Sequence, residues 1–324
     1  MKTQPKVSIL VPVYGVEGYI ARCAVSLLEQ SYENLEFIFV DDATKDSSIG
    51  ILEETISEYP ERMPQCRILH HEVNRGLSAA RNTAVAAASG EYLLHVDSDD
   101  YLAPRAIEKL VEAADGKADI VLFDTIELRE DGEHRLNAEY RDRTGYIKGL
   151  LQHTNRCAHW NKFYRSAFYL GSGIYSIESI RLAEDYAVTP RLVHKAESIK
   201  VLHEPLYYYE TRNQNSYVHN LNRAAVESQH EADTVLTDYF GTVADKSTWA
   251  DVVGILPQRT VVSLVKRAGK GSWELIRDVY ADEMSLSGAG MKVWDRVIFD
   301  LFRKKRYGSL SIVLSVYRKL ICLI

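Results

Sequence analysis

Four short apolar runs, 6–13 (KVSILVPV), 35–42 (LEFIFVDD), 66–71 (CRILHH) and 91–97 (EYLLHVD), show little alternation of polar and apolar positions. That is the pattern of strands buried on both faces. The stretches between them have helical spacing. Tyr19, Ile20, Cys23, Leu27 and Leu28 fall at i, i+3 and i+4 within Glu17–Gln30, and Asp46–Tyr59 opens on Asp and Ser capping residues before Ile49, Leu52 and Ile56. Ser78–Ser89 is rich in alanine and closes on Gly90. Strand and helix in steady alternation predict βαβ units, hence an α/β class with a mostly parallel sheet and helices on both faces. In such sheets ligands bind beyond the carboxyl ends of the strands. After about residue 127 the alternation weakens. Residues 135–145 read as an exposed connection, 155–217 are dense in Tyr, His and Asn, and from about 220 the pattern turns helical and polar, so a boundary is expected near 218.

Composition adds exclusions. At 324 residues, 46% hydrophobic and 26% charged, the chain has the make-up of a globular protein able to bury roughly 75% of its unfolded surface, without disulfide staples. Cys23, Cys66, Cys157 and Cys322 have no CxxC or Cys/His spacing, so neither a zinc site nor a disulfide framework is indicated, and a reducing cytoplasm is expected. Pro12, Tyr14 and Gly15 interrupt the first apolar run, which reads as a buried strand rather than a signal peptide. The net charge of −6 excludes a general nucleic-acid binder, but it is unevenly spread. Residues 291–324 hold eight Lys/Arg against Asp295 and Asp300, a basic end of +6 on a body of −12.

Candidate chemistry sits where each strand ends. The first strand leads into Pro12-Val13-Tyr14 and the second into Asp41-Asp42, side by side at one sheet edge; a carboxylate there can accept from an imide N–H, and Tyr14 can stack on a base. The fourth ends in Asp97-Ser98-Asp99-Asp100. Carboxylates crowded at a strand end repel one another unless a cation or solvent neutralises them, and Asp-x-Asp there suits Mg²⁺ or Mn²⁺ holding a diphosphate.

VSILVPVYG, FVDDATKD and above all NRGLSAARNTAVAAASGEYLLHVDSDDYLAP (74–104) resemble the nucleotide-binding half of a family 2 glycosyltransferase with the GT-A fold. HWNKFYR (159–165), LAEDY (182–186) and HEPLYYYETRNQNS (203–216) are similar to that family's acceptor-side patterns, in the usual order. The resemblance implies a catalytic domain over 1–217, with a donor-binding half to 104 and an acceptor-side half over 105–217, followed by a helical region over 218–324. It implies that Pro12, Tyr14 and Asp42 hold a uracil base, with Asp42 preferred to Asp41. Arg81 would reach the diphosphate or sugar, Asp97 and the adjoining Ser98 would contact the donor, and Asp99, with Asp97 and Asp100 as further candidates, would ligate the metal. Asp185 falls on the family's catalytic base, with Glu184 as a supporting carboxylate. His203 and His219 are either extra metal ligands or hydrogen-bonding residues, and Trp160 lines the acceptor cleft or packs in the core. Tyr207, Tyr208 and Tyr209 are expected to alternate on a strand, with Arg212 and Ser216 on a loop after it.

On a helical wheel, residues 309–324 gather Leu310, Val313, Leu314, Tyr317, Leu320, Ile321 and Ile324 opposite Ser311, Ser315, Arg318, Lys319 and Cys322. That segment is too short to span a bilayer. After FRKKRYG (302–308) it reads either as a helix lying in an anionic membrane surface or as one docked on the protein. The expectation is a metal-dependent inverting enzyme transferring from a UDP-linked sugar to a glycan or lipid-linked acceptor in surface-polysaccharide synthesis, at the cytoplasmic face of the inner membrane. Two alternatives stand beside it. One is a non-catalytic partner subunit of the same fold; the other, a nucleotidyltransferase, lacks a Gly-rich basic loop after the first strand, where GVEGYIARC stands.

Overall fold

The computed structural model describes residues 4–213 and 221–321. Of the residues singled out above, Ser216, His219, Cys322 and Ile324 lie outside them. The chain divides into two compact units, Met1–Leu150 with Asn155–His219, and Leu151–Thr154 with Asn220–Ile324.

The first unit opens as the periodicity predicts. Strands β1 (Val7–Val13), β2 (Leu35–Asp41), β3 (Cys66–His70) and β4 (Tyr92–His95) alternate with helices α1 (Ile20–Leu28), α2 (Ser48–Ser57) and α3 (Leu77–Ala87). They pair in parallel in the order β3-β2-β1-β4. Every residue of β1 and β4, and all of β2 before Asp41, is buried, which is why these segments are apolar without alternation. A short strand β5 (Tyr101–Leu102) and helix α4 (Ala106–Ala114) follow. The sheet then continues through β6 (Ile120–Arg129), β7 (Gly132–Leu136), helix α5 (Arg143–Leu151), β8 (Lys162–Arg165), helices α6 (Ser166–Gly171) and α7 (Glu184–Lys195), and β9 (Ile199–Glu210). Its full order is β3-β2-β1-β4-β8-β6-β9-β5, with β7 on β6; β8 is antiparallel to β4 and β6, while β9 returns parallel to β6.

The connection expected over 135–145 is partly regular. A two-residue hairpin pairs Arg129 with Gly132, and Gly132 takes φ +129°, open to a glycine, so the Asp131-Gly132 dipeptide starts β7. Trp160 and the three tyrosines settle into layers. Tyr207 is fully buried, while Tyr208 and Tyr209 are half-buried, and Trp160 stacks on Tyr207 (centroids 4.8 Å apart) and Tyr209 (5.0 Å). Of the two readings of Trp160, core packing is the one found.

One buried polar knot clasps the amino ends of β1 and β2. Glu36 accepts from the Ser8 hydroxyl (2.5 Å), the Lys6 ammonium (2.9 Å) and the Ser89 and Gly90 N–H groups (2.6 and 3.1 Å). Desolvation works to raise its pKa, but these donors hold it down at about 2. Gly90 fits because it lacks a side chain: a Cβ there would meet the Ser8 N and Oγ, both at 2.7 Å, and the Lys6 carbonyl at 2.8 Å. Gly90→Ala is therefore expected to cost about 1–3 kcal/mol, as overpacking does, and to unpick the Glu36 knot. Urea unfolding measures it; an unchanged midpoint would refute the clash.

The second unit is helical: α8 (Arg223–Thr242), α9 (Ala250–Val253), α10 (Leu256–Arg267), α11 (Trp273–Val279), α12 (Val293–Arg303) and α13 (Tyr307–Ile321). Asn222 caps α8 by accepting from the Ala225 N–H at 2.9 Å. Its own core unites Val261, Val265, Trp273, Ile276, Tyr280, Ile298, Phe299 and Phe302 with Leu310 and Leu314. Leu310 and Leu314 of the apolar arc of the last helix are buried in this core, and Val313 packs against it, as in the docked reading of that helix. Among the described residues no helix is long and apolar enough to cross a bilayer.

Candidate active site

Because β1, β2 and β4 run in register, with Val13 opposite Asp41 and Leu10 opposite His95, their carboxyl ends deliver Tyr14, Asp41-Asp42 and Asp97–Asp100 to one edge. Pro12 is buried opposite Val40, one residue inside the strand, and Tyr14 stands exposed just past it. The loop carrying Tyr14 is tied to the one after β2: the Gly15, Val16 and Glu17 N–H groups donate to Thr44 Oγ1 (2.9 Å), Ser48 Oγ (3.0 Å) and Asp46 Oδ2 (3.0 Å).

The two adjacent aspartates are unequal. Asp42, preferred from the sequence, is buried; its Oδ1 contacts His71 Nδ1 (2.7 Å) and accepts from the Arg75 N–H (2.8 Å), while Oδ2 accepts from the Gly76 N–H (2.7 Å). Asp41 is more open and carries one partner on each oxygen, the Thr44 N–H at 2.8 Å and His70 Nδ1 at 3.0 Å. Both carboxylates thus stand at the base end of the sheet, Asp42 also bonding the turn into α3.

Arg81, the fifth residue of α3, is the centre of the site. Its guanidinium is buried and forks between Asp97 Oδ1 at 2.9 Å and Glu184 Oε1. Burial works against its charge, yet Asp97, Glu184 and Asp185 hold the proton on, above the usual arginine value. It is therefore a clamp between the carboxylates of Asp97 and Glu184. Ser98, next to Asp97 in the chain, is buried. Asp99 receives the Asn213 amide N–H at 2.8 Å, and burial, then the neighbouring Asp97, push it up to about 6.

Asp100 is turned away from this edge. It is fully buried, Oδ2 accepting from the Tyr207 hydroxyl (2.5 Å) and Oδ1 from the Glu210 N–H (2.7 Å). Both oxygens of Asp100, a further candidate ligand in the sequence, thus have protein partners that fasten β9 to the Asp97–Asp100 turn, and the same Tyr207 hydroxyl accepts from the Asp97 N–H (3.0 Å). His203 likewise sits against Asp124 Oδ1 at 3.3 Å, the hydrogen-bonding reading. Arg22 was not legible from spacing. It donates to the Asp99 carbonyl (2.9 Å) and pairs with Glu210 (3.2 Å), which also binds Arg212.

On the other side, Ala183 adopts the left-handed conformation (φ +68°) and starts α7, so Glu184 and Asp185 occupy its first turn, where backbone N–H groups favour carboxylates. Oδ1 of Asp185 accepts from the Tyr186 N–H at 2.7 Å, and desolvation raises its pKa. Glu184 is raised for the same reason, against Arg81. Beneath them lies Lys162, fully buried, donating to the Ala158 carbonyl and Asn161 Oδ1, both at 2.7 Å; burial pushes it down to about 8.

A cation fits part of this set. Among the described residues no three His, Cys, Asp or Glu side chains converge as a ligand cluster. What remains is Asp97 and Asp99, a repelling pair of carboxylates, and one or two carboxylates completed by substrate phosphates and water is the manner in which Mg²⁺ is held.

A mostly parallel α/β sheet with carboxylates gathered at its carboxyl edge and a carboxylate-bearing helix nearby is the arrangement of a glycosyltransferase of the GT-A class. Residues 8–170 match Glycosyl transferase family 2, and the chain belongs to that family. It is 33% identical over 221 residues to the glycosyltransferase EpsH of Bacillus subtilis, covering 63% of this chain and 60% of EpsH. With EpsJ of the same organism it is 32% identical over 250 residues, 73% of this chain and 71% of EpsJ. The fold is that of S. aureus TarS residues 1–349 crystallised with UDP-GlcNAc, at a TM-score of 0.73, 20% identity, and coverage of 97% of this chain and 92% of TarS 1–349.

Proposed function

We propose that this glycosyltransferase moves a sugar, with inversion, from a UDP-sugar to a hydroxyl of a glycan or lipid-linked acceptor in polysaccharide synthesis, working at the cytoplasmic face of a membrane. The observation that carries the reading is the Arg81 fork, which joins a donor-side carboxylate, Asp97, to the helix that presents Asp185. Uracil stacks on Tyr14 beside Pro12, and its N3–H donates to Asp42, with Asp41 next to it. Asp97 and the buried Ser98 frame the ribose and sugar, and Asp97 with Asp99 holds Mn²⁺ or Mg²⁺, which supplies charge for a departing diphosphate.

Asp185 takes the proton of the acceptor hydroxyl as its oxygen attacks the anomeric carbon. The bond from that carbon to the β-phosphate oxygen breaks, its electron pair leaves with UDP, and attack opposite the leaving group inverts the centre. Burial suits Asp185 to the task, because a raised pKa makes a carboxylate a stronger base. Glu184, bound to Arg81, keeps the helix start in place. The UDP-GlcNAc in TarS supports the choice of donor nucleotide.

Calorimetric titration of UDP into the full chain, with Mn²⁺ or EDTA, tests the donor site. Micromolar binding is expected with Mn²⁺, weakened by about tenfold or more, 1.4 kcal/mol, by EDTA or Asp99→Ala. Absence of nucleotide binding by folded protein would overturn the reading, and tight binding of another nucleotide would move the donor class.

A further inference from the structure

The second unit carries a concentration of exposed apolar side chains on its last two helices. With Leu310 and Leu314 inside, the large apolar residues exposed on α13 among the described side chains are Ile312, 68% exposed, and Val316, four residues on. On α12 they are Val293, 67% exposed, with Trp294 and Val297. Scattered exposed aliphatics are ordinary; five on two paired helices are not. The helices run as a hairpin. Lys266 Nζ reaches Asp295 Oδ1 at 2.6 Å and the Tyr317 hydroxyl at 3.0 Å, which brings the start of α12 beside the end of α13. Trp294 and Val316 are the chain neighbours of those two anchors.

Cations are interleaved with this stripe. Lys292 and Arg296 flank Trp294 on exposed positions, and Lys304, Lys305 and Arg306 are all exposed in the turn between the helices. Over 291–318 the acids are Asp295 and Asp300, already paired with Lys266 and Arg303. Lys305 approaches Glu274 only at 3.9 Å, between exposed groups. We propose that the α12–α13 face docks on an anionic lipid surface. Apolar side chains and a tryptophan enter the headgroup region while the cations meet lipid phosphates, the arrangement of an interfacial helix pair. A protein partner is disfavoured because interface cores are depleted in charge, and a second copy would set two cationic faces against each other. This face differs from the amphipathic arc read off the sequence, and it deepens the membrane location in the proposed function, on which it rests, while the UDP titration above tests the transferase reading separately.

Sedimentation of the full chain with phosphatidylcholine vesicles, with and without phosphatidylglycerol, tests it. Binding is expected only with the anionic lipid and is expected to fall with salt. Lys304→Gln, Lys305→Gln and Arg306→Gln together should weaken it by roughly 100-fold. Trp294→Ser with Ile312→Ser should weaken it without changing its salt dependence, and unchanged circular dichroism and UDP affinity in both variants report intact folds. No binding, equal binding to neutral vesicles, or a native dimer that the Trp294/Ile312 variant abolishes would each overturn the proposal.

Discussion

Asp185→Asn is expected to lower turnover by about 10²–10⁴-fold, the usual worth of a positioned general base, while leaving UDP affinity as it was. The substitution keeps size and hydrogen-bonding shape on the first turn of α7 but removes the proton acceptor. The pH profile makes the test specific. Desolvation raises Asp185, so the native enzyme loses activity on the acid side as that carboxyl protonates, at a pH above the range of an exposed aspartate. Activity then rises with pH through that step, and the residual activity of the variant lacks it. UDP release from a UDP-sugar, followed across pH, measures both. Retention of most of the turnover, or an unchanged acid limb in the variant, would remove Asp185 from the reaction.

Arg81→Gln is expected to destabilise the fold by about 3–5 kcal/mol, because it strands Glu184 and Asp97 as uncompensated, largely buried carboxylates. Adding Glu184→Gln removes one stranded charge and should recover part of the loss, a coupling that a urea-unfolding double-mutant cycle reads directly. Arg81→Lys keeps the charge but cannot fork between two acceptors. It should fold better than Arg81→Gln while raising the donor KM, since the lysine can hold Asp97 or Glu184 in place but not both. Wild-type stability in Arg81→Gln, or additive effects in the cycle, would show that the clamp is not what organises the site.

Local rules made the donor half legible. Strands buried on both faces leave an unbroken apolar signature, the helices between them keep a 3.6-residue period, and motifs at strand ends are placed by the parallel topology itself. Tyr14, Asp41, Asp97 and Asp99 could therefore be found by reading along the chain. The Asp-Gly dipeptide at 131–132 held a hairpin signal too, hidden by the charged residues around it.

What spacing could not supply were partners far apart in sequence. Arg81 meets Glu184 across 103 residues and Tyr207 meets Asp100 across 107, so whether a carboxylate is free for a ligand or consumed by the protein was decided by the fold. That is why the partners of Asp42 and Asp100 came only from the fold, and why Arg22 and Asn213 appeared beside Asp99. The last helix shows the same division. Its composition determined that it would be amphipathic and basic, but the core around Phe299 and Phe302 determined which apolar stripe is covered and left Ile312 and Val316 outside. Sequence set the chemistry available at each position, because propensity and periodicity are local; tertiary packing set which groups are desolvated, paired or exposed, because those depend on neighbours that the chain order does not specify.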